Sequence, residues 1–250
     1  MKSVLIAAAL VVATAAAAGA QDNKVALAPG NSALNVARIT AGTDSFVIEN
    51  YRQGSLFRST RLVREVHKVN VGGRAMLRQS QTYATPDGTT VDTTWIDAAT
   101  LAPVRYYADI YGEIQRFEFD GVAVKGTVVP KDSAARDASF NAPAPFFNAV
   151  AMDLVHQAYK FDEGSAVGFP IYNPPRGSIE VALKFVAHEK LPLKNGGTIG
   201  AIRLSFNSRS HLWIDAKDGR LLINGGGMGG NAFWKVRTDI DASALIKASL

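Results

Sequence analysis

Short turn sequences cut most of this chain into runs too brief for long helices, and this restricts the fold more than any other feature. Gly72-Gly73, Pro86-Asp87-Gly88, Asp120-Gly121, Asn195-Gly196-Gly197 and Asp218-Gly219 recur between segments rich in Val, Ile, Thr and aromatic residues. Gly, Asn and Asp tolerate the positive φ of tight hairpins, so the pattern predicts consecutive antiparallel strands. The runs alternate as half-buried strands do. Phe117 and Phe119 share one face while Arg116 and Glu118 share the other. Val122, Val124 and Val128 oppose Lys125 and Thr127, and Ile202, Leu204 and Phe206 oppose Arg203 and Ser205. Ile179, Val181, Leu183, Phe185 and Ala187 form a further apolar row. About ten strands fit between Phe46 and Ile223, and a sheet that wide curls because each strand is rotated relative to the last.

One segment has a different period. Between Phe146 and Phe161, Phe147, Val150, Ala151, Leu154, Val155, Ala158 and Phe161 fall on one helical face. Pro145 suits a helix start and Gly164 lies just past the end. The expected fold class is therefore α+β: a strongly curved antiparallel sheet, a half-open β-barrel, covered by one main helix. Residues 45–250 are expected to form a single β-rich domain, and 21–44 a loose lead-in with a short strand near Val36–Ile39. The glycine-rich run Asn224–Asn231 lacks the Lys-Ser/Thr of a phosphate loop and is expected to be a mobile linker.

The N-terminus has the parts of a secretory signal: Lys2, an apolar run from Val4 to Val12, and small residues ending at Ala18-Gly19-Ala20. Cleavage is expected before Gln21, which would place the mature protein in the periplasm or outside the cell. The sequence contains no cysteine, so it has no disulfides, no thiolate chemistry and no cysteine-borne lipid anchor. The net charge of +5 comes from scattered Lys and Arg. This argues against a nucleic-acid partner and is compatible with peripheral contact with a membrane or an envelope protein.

Catalytic patterns are lacking. His67, His156, His188 and His211 have no metal-ligand spacing, and His156 is expected on the polar edge of the helix. No Gly-x-Ser-x-Gly elbow occurs. Asp92 with Asp97, or Glu113 with Glu118, could form an acid–base pair, but Asp97 and Asp215 sit where strands enter turns and are expected to bind turn amides. On a strand Arg58 and Arg64 share a face and Arg61 points the other way; solvated outer-face arginines are expected here rather than an anion site. No catalytic residue, metal or cofactor is therefore assigned. The prominent feature is aromatic content on many strands. A curled sheet offers more inner surface than one helix covers, which implies a cavity for an apolar ligand. Trp95, Phe117, Phe119, Phe147, Phe185 and Trp213 are its expected lining.

Thr93-Thr94-Trp95-Ile96-Asp97 before Leu101-Ala102-Pro103-Val104, and Trp213-Ile214-Asp215 before Asp218-Gly219-Arg220, carry a resemblance. In this order the segments resemble the periplasmic lipoprotein-carrier superfamily of LolA/LolB-type proteins. More closely, they resemble an uncharacterised family of exported bacterial domains related to it, over about residues 45–224. The resemblance implies a half-open barrel with a helical lid and an apolar cavity, and no catalytic residues. LolB-type receptors are themselves lipoproteins, a role that a chain without cysteine does not fit. The expected function is binding or transfer of a lipid or other apolar molecule. The alternatives are a cofactor-independent enzyme with a titratable group in an aromatic pocket, and an envelope interaction module with a filled core.

Overall fold

A computed structural model describes residues 24–173, 177–206 and 209–250; the expected signal segment and its cleavage site lie outside these. Two antiparallel meanders make up most of the protein. The first comprises β2 (Gly42–Arg52), β3 (Ser55–Val71), β4 (Arg74–Thr85), β5 (Gly88–Asp97), β6 (Pro103–Ile110), β7 (Glu113–Asp120) and β8 (Ala123–Val129). The second comprises β12 (Ala166–Asn173), β13 (Gly177–Pro192), β14 (Thr198–Ser205), β15 (Ser210–Asp215), β16 (Leu221–Met228) and β17 (Asn231–Arg237). Strand β17 pairs antiparallel with β2, Lys235 opposite Ile48, which joins both meanders into one open sheet. Short strands trim its ends. β9 (Arg136–Asp137) and β10 (Phe140–Asn141) pair with β8, while β1 (Val25–Ala26) and β11 (Phe147–Asn148) run parallel to β12. The hairpin chemistry works as expected at Gly72-Gly73, where φ values of 59° and 83° match a two-residue turn that needs both positive.

The expected sixteen-residue amphipathic helix is not formed. Phe147–Asn148 is strand, Ala149–Ala151 is a 3-10 turn, and helix α1 spans only Met152–Ala158. A second helix, α2, spans Ser243–Ser249. Asp153 to Ala158 are all buried, so α1 has no solvent face to oppose its apolar stripe. The sheet covers one side and other segments cover the rest. The Asn35 amide donates to the Ala158 carbonyl, Thr40 N–H donates to Gln157 Oε1, and the turn at Gly219 lies against His156 and Gln157. His156 is accordingly fully buried and packs on Phe169, rather than lying on a polar edge.

The lead-in is also anchored. Leu27 and Ile39 are core residues, Leu34 bridges to Tyr159, and Val36–Arg38 is a 3-10 turn capped by the Asn35 side chain instead of a strand. Three apolar clusters result. The main one lies between the sheet and α1. An aromatic one joins β6 and β7 to Tyr172 on β12. A third, with Trp213 and Trp234, lies where α2 packs.

The glycine-rich run is strand rather than linker, and close approach explains its composition. A Cβ at Gly225 would stand 2.4 Å from the Trp234 ring, and one at Gly226 would stand 1.8 Å from the Arg209 carbonyl oxygen. Bare backbone lets β15, β16 and β17 pair at these positions. Gly226→Ala is expected to cost about 2–3 kcal/mol in urea denaturation, because backbone must move. Gly229→Ala, in the open β16–β17 turn with nothing within 4 Å, is expected to cost about 1 kcal/mol, from its positive φ alone.

Candidate functional site

The site begins with an alternation on β3. Thr60, Leu62, Arg64 and Val66 are buried, while Arg61 and Val63 are exposed. Arg64 therefore points into the protein, only 1 % exposed, and is not a solvated outer arginine. Cross-strand pairing extends a polar row from it. Asp44 faces Arg64, Arg64 faces Gln81, Gln81 faces Asp92, Asp92 faces Ala108, and Ala108 faces Gln115. Opposite residues in an antiparallel ladder share a face, so this row crosses the inner side of β2 to β7. Gln79 and Gln81 both donate from their Nε2 atoms to the Val150 carbonyl, which ties the 3-10 turn before α1 to β4.

Asp153 on α1 completes an ionic cluster. Arg64 Nη1 donates to Asp153, and Arg64 Nη2 donates to Asp44 Oδ2 at 2.6 Å. Lys235 Nζ lies 3.6 Å from Asp153 Oδ2 and 4.8 Å from the centre of the Phe46 ring. Burial opposes the Arg64 charge, but Asp153 and Asp44 outweigh it and hold its pKa above the ordinary value. Burial likewise opposes the Asp153 charge, yet Lys235 and Arg64 bring its pKa down to about 2. Burial lowers the pKa of His156 to about 4, against the pull of Asp153, so the ring is neutral. Both ring nitrogens lack a hydrogen-bond partner.

Two of these groups, Asp153 and Lys235, also line an open-mouthed cavity of ≈ 740 Å³. Its apolar wall includes Ile48, Leu62, Val91, Ile110, Val150 and Phe233, and its polar lining includes Gln81, Tyr83, Asp92, Tyr106, Asp153 and Lys235. Ile110 and Phe233 are each 40 % exposed and mark its mouth. Asp92 is the distinctive group. Its Oδ1 is sealed from solvent without a hydrogen-bond partner, and burial raises its pKa to about 7 against the lowering pull of the Lys235 charge and of the Tyr83 hydroxyl. The other candidate acids point elsewhere or are engaged. Asp97 Oδ1 accepts from the amides of Ala99 and Thr100, Asp215 Oδ1 accepts from the Lys217 amide, and Glu118 pairs with Arg105 on the outer face. Among the described residues no three acidic or histidine side chains gather as a metal-ligand set.

The aromatic residues expected to line one cavity are not brought together. Phe117 and Phe119 belong to the cluster around Tyr172, at 6.2 and 6.0 Å between ring centres. Phe147 is buried in the main core and Phe185 packs at its margin. Trp213 packs on Trp234 in the third cluster and donates to Glu189 at 2.7 Å. Trp95 stands on the outer face beside Arg105 and, with Phe117, lines a separate cleft of ≈ 610 Å³ among exposed charged residues. None of the six borders the 740 Å³ cavity. The residues that do were legible in part. The frame of Leu62 and Val66 places Arg64 inward, whereas the threonines around Asp92 are buried in both phases, Thr90 and Thr94 as well as Thr93, and give no such frame.

Fold and cavity define the class: an open β-sheet protein with an open-mouthed cavity that Asp92, Asp153 and Lys235 help to line. The chain belongs to DUF3108, a family described as proteins of unknown function, whose model matches residues 50–223. Arg64, Asp92 and Asp153 lie inside that span, whereas Asp44 and Lys235 lie outside it. No curated protein and no solved structure matches the chain.

Proposed function

We propose that this protein binds and carries an apolar or amphiphilic small molecule outside the cytoplasm, in the cavity between the sheet and residues 149–153. The observation that carries this reading is a cavity of ≈ 740 Å³ whose lining is divided between apolar side chains (Ile48, Leu62, Ile110, Phe233) and convergent polar groups. That size is usual for a small-molecule site, and the mixed lining suits an amphiphile better than a wholly apolar ligand. Each CH₂ removed from water against Ile48, Leu62 and Phe233 would contribute about 0.8 kcal/mol. In this reading the sheet is a half-open barrel of the LolA/LolB-like kind. The chain between β8 and β12 spans its gap, and the aromatic contacts of Tyr172 draw its edges together.

Native mass spectrometry of the exported protein, followed by organic extraction, tests the proposal. The expected result is a co-purifying molecule at near one-to-one ratio. Phe233→Glu at the exposed mouth is expected to lose it while unfolding as cooperatively as the parent. A clean apo mass that lipids and detergents do not shift would overturn the reading.

A second reading, a cofactor-independent enzyme, is favoured by one observation. Asp92 is a buried carboxyl held near neutrality in the same cavity as Lys235, a combination suited to proton transfer. Recovery of a loaded ligand in chemically altered form, dependent on Asp92, would favour it over simple carriage.

A further inference from the structure

The cavity is lined by two carboxyls, Asp92 and Asp153, and one cation, Lys235, and the ionic cluster behind it leaves Asp92 as the carboxyl without a direct ion pair. Arg64 is shared by Asp44 and Asp153, and Lys235 is held by Asp153 and the Phe46 ring. Arg220, which also reaches Asp44, is matched by Asp218 at 3.0 Å. His156 is neutral. Among the described residues this leaves the interior carboxyls Asp44, Asp92 and Asp153 facing Arg64 and Lys235, one cation short. Asp92 makes no direct ion pair among the described residues and feels Lys235 only at longer range, its Oδ1 has no hydrogen-bond partner, and it lines the cavity together with the aromatic side chains Tyr83 and Tyr106. A carboxylate beside aromatic rings is the chemistry that recognises an ammonium group, through ion pairing and cation–π attraction.

We propose that the cavity takes a monocationic amphiphile, its ammonium on Asp92 beside Tyr83 and Tyr106 and its apolar part against Ile48, Leu62, Ile110 and Phe233. The proposal rests on reading the cavity as a binding site and names the class of its ligand. A bound cation lets Asp92 ionise without leaving a buried charge unpaired, which is the costly state. Lys235 does not take this place, because its ammonium is drawn to Asp153 and Phe46. An anionic amphiphile would keep Asp92 protonated and find no free cation among the described lining residues, because Lys235 is held by Asp153. A neutral alcohol would leave Asp92 protonated and gain only the apolar contact.

Titration calorimetry of the folded protein with decylamine, decanol and decanoate, each below its micelle concentration, tests this. Decylamine is expected to bind at least tenfold more tightly than decanol, and decanoate more weakly than decanol. Asp92→Asn is expected to remove the advantage of the amine while leaving decanol binding in place. Phe233→Glu is expected to weaken decanol, which locates it in this cavity. Equal binding of amine and alcohol, tighter binding of decanoate, or an amine advantage that survives Asp92→Asn would each overturn the ammonium assignment while the cavity reading stands. Failure of all three probes to bind would remove both.

Discussion

Replacing Arg64 by Met is expected to destabilise the protein by about 3–5 kcal/mol, as is usual when one partner of a buried ion pair is removed. Arg64 is 1 % exposed and bonds to carboxylates on two other elements, Asp44 on β2 and Asp153 on α1. Without it, among the described residues Asp153 keeps Lys235 at 3.6 Å and the neutral His156 ring at 4.0 Å, and Asp44 keeps Arg220 at 3.4 Å. Two buried carboxylates would then be undercompensated in a region where charge is strongly disfavoured. Urea denaturation at neutral pH reads the loss as a lower midpoint. The double variant Arg64→Met/Asp153→Leu is expected to recover more than half of it, because the stranded charge goes with its partner. A loss below about 1 kcal/mol for Arg64→Met would mean that the guanidinium is solvated after all.

Arg64 also shows how much of the site could be read in advance. The strand pattern was legible because it rests on local physics. Gly72-Gly73 fixes a hairpin, and Phe117, Phe119, Val124 and Val128 alternate with charged neighbours and are buried. The same alternation places Arg64 inward, between Leu62 and Val66, but charge type argues the other way. Only the approach of Asp44 and Asp153, at sequence separations of 20 and 89, makes an inward arginine tolerable. The helix failed for a related reason. Its apolar stripe is genuine, but Phe147 and Asn148 pair with Ile171 and Tyr172, and ladder bonds to β12 replace the helix's first turn. Long-range pairing overrode a local period.

The scattered aromatics follow from the width of the sheet. Trp213 and Phe117 both alternate correctly, yet they lie on strands far apart in the sheet, and they pack on Trp234 and Tyr172 respectively. Inner and outer faces are both covered here, the outer one in part by α2 against β16 and β17. A buried aromatic therefore does not reveal which face it occupies. The polar residues of the inner row are more informative, because their burial needs partners and the partners converge on one place.

Asp92→Asn is expected to make the protein more stable, and increasingly so as the pH rises. In the folded protein burial raises the Asp92 pKa from 3.8 to about 7. Between these values the folded state holds a proton that the unfolded chain has lost, so Asp92 draws stability down as pH increases. His156 acts in the opposite sense. Burial lowers its pKa from 6.5 to about 4, so the unfolded chain holds the extra proton and stability rises with pH over that interval. The two slopes oppose each other from about pH 4 to 6.5, which flattens the parent's dependence there. Removing the Asp92 titration exposes the His156 slope, on the order of 1 kcal/mol per pH unit. Relative to the parent, Asp92→Asn is expected to be near neutral below pH 4 and more stable by roughly 4 kcal/mol above pH 7, since about three pKa units are relieved. Urea midpoints for both proteins at pH 4, 5.5 and 7.5 measure the difference directly. If the difference stays constant with pH, Asp92 ionises in the folded protein as it does in water. The unpaired buried carboxyl would then be lost as the basis for an ammonium ligand.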